Sequence, residues 1–240
     1  MPWYRLTRRQ IGAGLAQHLS GRKLRILDAG GGNGLDSLPL AAQGHDVLIV
    51  DYSAAMLADA QTQAATRGLQ GQLQVQQAEL SGIDELLKGE TFDAVLCHNV
   101  IQYLDDAPAL LRQLAAALRP GGLLSLVSMN RYSAVYAALL LRNDVKAARA
   151  GIGAHAAHTV IFDAPLIVYS AAEAAAMLAQ AGLAVTADYG LLCITAYWRE
   201  DERKHDPAVY AQLEELELAL MDQEPYKSLA RSFQVIAHKR

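Results

Sequence analysis

Two aspartates, Asp28 and Asp51, stand at the ends of two short apolar runs, and a cluster of glycines lies between them. Residues 24–27 form the first run and residues 47–50 form the second. This order predicts a strand, a glycine turn, a helix and a parallel strand, with a carboxylate at the tip of each strand. The glycines of the turn are Gly30, Gly31, Gly32 and Gly34.

This arrangement favours a nucleoside ligand. Glycines allow a ligand to approach the backbone closely, and the start of the following helix offers free N–H groups. The carboxylate of Asp51 can accept hydrogen bonds from both hydroxyls of a ribose. The glycine spacing differs from the G-x-G-x-x-G/A pattern of dinucleotide folds, so a NAD-dependent dehydrogenase is a distant alternative.

The pattern D-x-G-x-G-x-G from Asp28 to Gly34, followed by Asp51, resembles the class I S-adenosylmethionine (SAM) dependent methyltransferases. The CHNV sequence at residues 97–100 and the LRPGG turn at residues 118–122 match further motifs of that family. The resemblance implies an α/β fold with a doubly wound, seven-stranded, mostly parallel sheet, which is the Rossmann-like methyltransferase fold, and an α-helical cap on the substrate side. It also implies SAM as the cofactor.

The position of each motif predicts the cofactor contacts. The glycine turn is expected to pack against the amino-acid half of SAM, Asp51 to hold the ribose, and Tyr52 and Met56 to flank the adenine, although core packing explains Met56 equally well. An N-terminal arginine is expected to pair with the SAM carboxylate, and the family position falls near Thr7. Arg5 is preferred over Arg8 and Arg9, although each of the three is more often a solvated charge. The expected contacts are Arg5, Asp28, Gly30, Gly31, Gly32, Gly34, Asp51, Tyr52, Met56, Glu79, Leu80, His98 and Asn99.

Composition limits the other classes of function. A chain of 240 residues with 52% hydrophobic content can bury one substantial core, so we predict one domain, with a cofactor core at 24–130 and substrate-side insertions at 131–165 and 189–229. The net charge of −4 gives no global attraction to nucleic acid or membrane. Two cysteines form neither a disulfide framework nor a metal site. We expect a soluble, cytoplasmic protein without a metal; its oligomeric state is open.

Several segments together resemble one bacterial branch of the family, the tRNA 5-carboxymethoxyuridine methyltransferases. They are DAGGGNG, LCHNV, LRPGG, AYWRE and the closing EPY-K-S-LAR. That branch esterifies the carboxylate of a modified wobble uridine, so the resemblance implies tRNA as the partner. The branch has a strongly basic segment where residues 151–165 of this chain are nearly neutral. Phosphate contacts supply much of the affinity for nucleic acid, which keeps a small-molecule methyl acceptor as the alternative.

The predicted reaction is an in-line transfer of the SAM methyl group, for which the enzyme mainly positions the two partners. A carboxylate acceptor is ionised near neutral pH and needs no general base. We predict Arg199, with Tyr197 or Tyr226, as the residues that orient it, although a surface ion pair or a packed ring explains each equally well. An O–H or N–H acceptor would instead need His98 or a tyrosine as general base. A SAM-binding protein without turnover is a further alternative.

A helix is predicted from Pro207 to about residue 221. Its leucines at 213, 216 and 220 give it a packing face, and its acids at 214, 215 and 217 are expected to be solvent charges. Residues 133–150 are also predicted to be helical. Whether residues 133–165 close as a lid is open at this stage.

Overall fold

The computed structural model describes residues 2–18, 21–159, 164–199 and 202–240. Residues 160–163, part of the predicted 131–165 insertion, therefore lie outside the described residues. The chain divides into two compact units. The glycine-loop unit consists of Ser20–Leu126, Ala175–Thr186 and Ile236–Arg240. The second unit consists of Met1–Leu19, Val127–Ala174 and Ala187–Val235.

Nine strands are present among the described residues. In chain order they are β1 (Arg25–Ala29), β2 (Asp46–Asp51), β3 (Leu73–Gln77), β4 (Phe92–His98), β5 (Leu118–Met129), β6 (Ala156–Thr159), β7 (Ala164–Ile167), β8 (Leu183–Leu191) and β9 (Ser232–Lys239). Seven of them form one sheet in the order β3-β2-β1-β4-β5-β9-β8, and β6 and β7 form an antiparallel hairpin. Strands β1 to β4 pair in parallel. The predicted doubly wound, seven-stranded sheet is confirmed.

The helices follow from local sequence signals. In chain order they are α1 (Pro2–Ala16), α2 (Ser37–Ala42), α3 (Ala54–Thr66), α4 (Ile83–Leu87), α5 (Ala107–Ala116), α6 (Ser133–Tyr136), α7 (Val145–Ala150), α8 (Ala171–Gln180), α9 (Pro207–Leu220) and α10 (Tyr226–Leu229). The side chains of Ser53, Asp106 and Asp206 cap α3, α5 and α9 by accepting backbone N–H bonds. Each cap satisfies donors that a helix start otherwise leaves unpaired. No helix in the described part of the chain is both long and apolar enough to cross a membrane.

The core of the glycine-loop unit lies on the central strands. Every residue of β4 is buried, because a parallel strand covered on both faces needs a nearly continuous apolar run. Leu38, Leu57 and Leu111 bring α2, α3 and α5 into this core. Burial of these side chains stabilises the strand ends from which the candidate site is built.

Two segments differ from the sequence-based expectation. The LRPGG segment was expected to form a turn before the fifth strand, but it lies within β5, with Gly121 at φ +74°. The helix expected over residues 133–150 is interrupted: a π-helical stretch (Ala137–Leu141) follows α6, and Asn143 has φ +55°. The break has a local cause, because the Asp144 side chain accepts the Ala147 N–H and starts α7 anew.

Candidate functional site

The carboxyl ends of the parallel strands lie at one edge of the sheet. Ala29 at the end of β1 pairs with Val50, and Asp51 at the end of β2 pairs with Gln77. The strand order reverses between β1 and β4, which are neighbours in the sheet. Doubly wound sheets bind their ligands at such a reversal, outside the carboxyl ends of the strands. The candidate site is therefore this edge of the glycine-loop unit.

The glycine loop turns back against the sheet directly after β1. The Gly30 N–H donates to the Val50 carbonyl oxygen at 2.7 Å, and Gly30 has φ +78°. A methyl group on Gly30 would lie only 2.4 Å from Cγ2 of Val100. Glycine is therefore required here both for its backbone conformation and for space. The loop keeps a bare backbone, which is the cradle that a nucleoside ligand needs.

Asp51 is held by two backbone donors. Its Oδ2 accepts the Gly32 N–H at 2.9 Å, and its Oδ1 accepts the Ser53 N–H at 2.8 Å. Each carboxylate oxygen has two lone pairs, so each can accept one more hydrogen bond. The carboxylate is thus fixed in place and still able to bind a pair of ribose hydroxyls.

Tyr52 and Met56 are exposed beside Asp51. Tyr52 is 66% exposed and Met56 is 43% exposed. The Cε of Met56 lies 3.3 Å from the position that a methyl group on Gly32 would occupy, which places it over the loop. The explanation of Met56 as a core residue is therefore wrong. Both side chains can pack against a planar base.

Four other predicted residues belong to the same unit. Glu79 is exposed just before the 3₁₀ turn Leu80–Gly82, and Cδ1 of Leu80 lies 3.6 Å from the methyl position on Gly30. Asn99 is exposed after β4 with φ +58°. A methyl group on Gly34 would lie 3.1 Å from Ile49, so this glycine lets the chain pack closely on β2.

Asp28 lies behind the glycine loop. It is 2% exposed, and its Oδ2 accepts the Ser37 hydroxyl at 2.6 Å. A methyl group on Gly31 would lie 2.4 Å from the Asp28 carboxyl carbon. Burial raises the pKa of Asp28 to about 6, and the nearby His98 partly offsets this shift. Asp28 therefore packs against the backbone of the glycine loop at Gly31. A direct contact between Asp28 and the cofactor stays a prediction.

His98 uses both ring nitrogens within its own unit. Its Nδ1 lies 2.8 Å from Oδ2 of Asp36, and its Nε2 lies 2.8 Å from Oγ of Ser125. The arrangement resembles an Asp-His-Ser hydrolytic triad, but Ser125 is completely buried within β5, so no substrate can reach its hydroxyl. His98 therefore ties three segments together and has no free ring nitrogen for proton transfer.

Arg5 belongs to the second unit. Its guanidinium lies 4.9 Å from the centroid of the Tyr210 ring, which is cation–π distance. The other predicted cofactor contacts belong to the glycine-loop unit. A contact between Arg5 and the SAM carboxylate stays a prediction.

Tyr197 is the centre of a side-chain cluster in the second unit. Its hydroxyl donates to the Leu229 carbonyl oxygen at 3.1 Å, and its ring centroid lies 5.7 Å from that of Tyr136. Burial raises the pKa of Tyr197 to about 12, while the charge of Arg231 and a hydrogen bond with Ser133 oppose the shift. Tyr197 is therefore neutral at physiological pH, and its only proton is already donated.

Arg231 is a further residue beside Tyr197, with no role predicted from the sequence. Its Nη1 donates to Oγ of Ser133 at 3.4 Å, and the side chain is partly buried. Burial lowers the pKa of this guanidinium, and Tyr197 opposes the shift. Its sequence signals are its place at the end of the EPY-K-S-LAR segment and its position directly before strand β9.

Arg199 and Tyr226, the other two predicted orienting residues, are exposed. Tyr226 begins the short helix α10, and Arg199 follows the 3₁₀ turn Thr195–Tyr197. The described ring partner of Tyr197 is Tyr136. Their substrate contacts stay predictions.

Glu217 is not the solvent charge that the sequence predicted. It is completely buried, and its Oε1 and Oε2 accept the backbone N–H groups of residues 193–195 at 2.7–3.0 Å. Its neighbour Glu214 pairs with Arg9 at 3.0 Å. The helical pattern could not show that a carboxylate on α9 would meet a turn of unpaired N–H groups.

The titratable groups contain no obvious metal site. Among the described residues, no group of three or more histidine, cysteine, aspartate or glutamate side chains could hold a metal ion. The thiols of Cys97 and Cys193 are both buried, and burial raises the pKa of each to about 12. Thiols with such pKa values are not nucleophiles near neutral pH.

Known proteins resemble this chain over most of its length. A family model described as a methyltransferase domain matches residues 27–124. The tRNA 5-carboxymethoxyuridine methyltransferase of Escherichia coli (strain K12) is 32% identical over 222 residues, which cover 91% of this chain and 81% of that protein. A ubiquinone biosynthesis O-methyltransferase of Xanthomonas axonopodis pv. citri is 32% identical over 168 residues, which cover 70% of this chain and 66% of that protein.

Solved structures show the same fold. The magnesium protoporphyrin IX methyltransferase of Synechocystis PCC 6803, with bound S-adenosylhomocysteine (SAH), matches with a TM-score of 0.62. The match covers 99% of this chain and 84% of that protein, at 18% identity. Similarity at this level of identity supports the fold and leaves the substrate open.

Proposed function

Because this chain belongs to the SAM-dependent methyltransferases, we propose that it methylates the carboxylate of a 5-carboxymethoxyuridine in tRNA. SAM is the cofactor of the family, and it supplies an electrophilic methyl group on a sulfonium when bound. The residues of the glycine-loop unit fit it. Asp51 would accept the ribose hydroxyls, Tyr52 and Met56 would pack on the adenine, and the bare backbone at Gly30 would receive the amino-acid half.

The observation that carries the choice of acceptor is the state of His98. Both of its ring nitrogens are hydrogen-bonded to buried or part-buried partners, so it is not poised to remove a proton. A carboxylate acceptor is already ionised at neutral pH and needs no proton removed. The chain then has to bind the acceptor, orient one carboxylate oxygen towards the methyl group and exclude water.

Orientation of the acceptor belongs to the second unit in this proposal. Of the three predicted residues, Tyr197 is the one whose position is fixed, through its bond to the Leu229 carbonyl. Because its hydroxyl proton is used in that bond, Tyr197 has no proton to donate to a carboxylate and would contribute its ring. Arg199 and Tyr226 are exposed and would act only by reaching a bound acceptor.

Two features support tRNA as the acceptor. The first is the 32% identity to the tRNA 5-carboxymethoxyuridine methyltransferase over 91% of the chain. The second is a group of exposed cations and aromatic rings on the second unit, namely Arg142, Lys146, Arg149, Tyr132 and Tyr136. When lysine and arginine side chains bind RNA phosphates, the counterions condensed on the RNA are released, which favours binding. Aromatic rings stack on unpaired bases, so the two residue types together favour single-stranded RNA loops. In this proposal these exposed cations provide the phosphate contacts that the nearly neutral residues 151–165 do not.

A small-molecule acceptor is the second candidate. The net charge of −4 does not attract RNA globally, and the ubiquinone biosynthesis O-methyltransferase shares 32% identity over 70% of the chain. An acceptor hydroxyl of that kind would need a general base, and the tyrosines of the second unit would have to provide it. The partly buried Tyr197, whose pKa is raised to about 12, is a poor base at neutral pH.

The test is methyl transfer from labelled SAM to bulk tRNA from a strain that lacks the corresponding gene. We expect label in the tRNA, release of that label as methanol by mild base, and loss of both in an Asp51→Ala variant that no longer holds SAM. Label that mild base does not release would exclude a methyl ester. SAM binding without any labelled tRNA would favour the small-molecule candidate.

A further inference from the structure

Arg231 is a partly buried cation without a carboxylate partner in the described part of the second unit. Its described side-chain bond goes to the neutral hydroxyl of Ser133 at 3.4 Å. Among the described residues, the titratable groups that act on it electrostatically are Tyr197, which is neutral, and Arg142, which repels it. Burying a cation among neutral groups costs free energy unless an anion compensates it. Among the described residues, no negative charge compensates the Arg231 guanidinium, so a bound anion would stabilise it.

Hydrogen bonds fix the main chain at Arg231 on both sides. The Arg231 N–H donates to the Leu192 carbonyl at 3.1 Å, and its carbonyl accepts the Asn130 N–H at 3.1 Å. The Asn130 amide also donates to the carbonyls of Ser228 and Ala230 at 2.9 and 3.0 Å. The chain on either side of Arg231 is therefore fixed before any ligand arrives, and a fixed donor loses less entropy on binding.

Two aromatic rings belong to this surrounding: Tyr197 acts electrostatically on Arg231, and Tyr136 ends the short helix α6 that begins at Ser133, the hydrogen-bond partner of Arg231. Tyr136 and Tyr197 lie 5.7 Å apart at an angle of 50°, and Tyr136 is 37% exposed. An exposed ring beside a partly buried guanidinium can pack against a planar group while the guanidinium binds an anion on it. This combination selects an anion attached to a planar ring.

We propose that Arg231 binds the carboxylate of the methyl acceptor, with Tyr136 and Tyr197 packing on the planar ring that carries it. This inference rests on the proposed carboxylate methylation and assigns its anion-binding residue. The planar guanidinium can donate two parallel hydrogen bonds to a carboxylate, which also sets its orientation. Arg199 is exposed, so water screens its charge and it cannot bind an anion with the same strength.

The probe is 4-fluorophenoxyacetate, which carries a carboxylate on a planar ring, with the neutral 4-fluorophenoxyacetamide as its partner. Binding of each to the full-length protein with SAH is measured by ¹⁹F NMR line broadening. We expect the wild type to prefer the carboxylate, and Arg231→Met to weaken carboxylate binding by about 10- to 100-fold, as for loss of a charge-assisted bond. Arg231→Lys keeps the charge without the planar fork and should keep part of the binding.

The matched control is Arg112→Met, which removes an exposed arginine from α5 and should leave the preference unchanged. Equal binding of the carboxylate and the amide by the wild type would overturn the proposal. So would an unchanged preference in Arg231→Met. If Arg231→Met does not fold, as judged by circular dichroism, the comparison of wild type with Arg231→Lys decides: unchanged carboxylate affinity contradicts the proposal, and weaker affinity supports it.

The probe assay does not depend on tRNA. A preference for the carboxylate that requires Arg231, together with failure to label tRNA, would support the anion site and reject the tRNA acceptor. Labelling of tRNA by Arg231→Met at the wild-type rate, with Kd for SAH unchanged, would support the tRNA acceptor and reject Arg231 as its anion-binding residue.

Discussion

The carboxylate of Glu217 accepts two hydrogen bonds from Thr195, one from its backbone N–H at 2.7 Å and one from its hydroxyl at 2.6 Å. Both residues are buried. Thr195 begins the 3₁₀ turn that carries Tyr197, so a residue on α9 determines where that ring stands. The same carboxylate also accepts the Gln10 side-chain amide at 3.3 Å, which ties α1 to this turn.

We expect Glu217→Gln to destabilise the protein strongly. The new amide nitrogen would face backbone N–H donors that now point at a carboxylate oxygen, leaving at least one of them unpaired. Loss of charge-assisted bonds at a buried site costs about 2–4 kcal/mol in the free energy of unfolding. Urea unfolding measures this change.

Glu215→Gln is the matched control, because Glu215 lies on the same helix and is exposed. It should change the free energy of unfolding by no more than about 0.5 kcal/mol. Equal effects of the two substitutions would contradict the role assigned to Glu217.

Asp28 should make stability depend on pH between about 4 and 6. Its pKa is raised from 3.8 to about 6 in the folded protein, so the folded state binds a proton in this window that the unfolded state has already lost. Stability from this group is therefore greatest at low pH and falls as the pH rises through 6. The difference in pKa corresponds to about 3 kcal/mol.

Asp28→Asn keeps an oxygen for the Ser37 hydroxyl and removes the titration. Relative to wild type, the variant should gain stability as the pH rises from 4 to 7, and urea unfolding at several pH values measures that difference. Burial lowers the pKa values of His18 and His45, which also contribute to the pH dependence of stability. Their contribution is the same in both proteins, so it cancels when the wild-type stability profile is subtracted from that of the variant. Parallel stability profiles for the two proteins would show that Asp28 does not titrate as described.

Gly30→Ala should weaken SAH binding by at least about 10-fold, because the methyl group meets Val100 at 2.4 Å and φ is +78°. Isothermal titration with SAH measures the effect. The control is Gly44→Ala, since Gly44 has φ +95° with open space around it. Gly44→Ala should lower stability and leave Kd for SAH unchanged. Unchanged SAH binding in Gly30→Ala would remove the glycine loop from the cofactor site.

His98→Asn should lower stability and leave methyl transfer largely intact. A general base contributes about 10²–10⁴-fold to a rate, so its loss would be unmistakable. We expect kcat at saturating SAM to change by less than about 10-fold, with the same pH profile as wild type. Rates on tRNA between pH 6 and 9 test this, and disappearance of a pH-dependent limb in the variant would identify His98 as a base after all.

The sheet could be predicted because its signals are local. Apolar runs ending in Asp28 and Asp51 mark two strands, and Ser53 caps α3 at the predicted residue. The order of acid, glycines and acid then determines which end of the sheet can bind a nucleoside.

The roles of Glu217 and Arg231 could not be predicted because they depend on contacts distant in the sequence. Glu217 meets a turn about twenty residues away, and Arg231 meets Ser133 at a separation of 98 residues. Nothing in the spacing of either residue indicates these partners. Arg199 and Arg231 both stand in family-like segments, but the prediction fell on Arg199, which is exposed in the structure.

The most direct measurement uses two synthetic anticodon stem-loops that differ only at the wobble uridine. One carries a 5-carboxymethoxy group and the other a 5-methoxy group, which lacks the carboxylate. Incubation with SAM and mass spectrometry should show one methyl group added to the first RNA and none to the second, and mild base should remove it as methanol. Methylation of both stem-loops, or of neither, would contradict methylation of a wobble-uridine carboxylate.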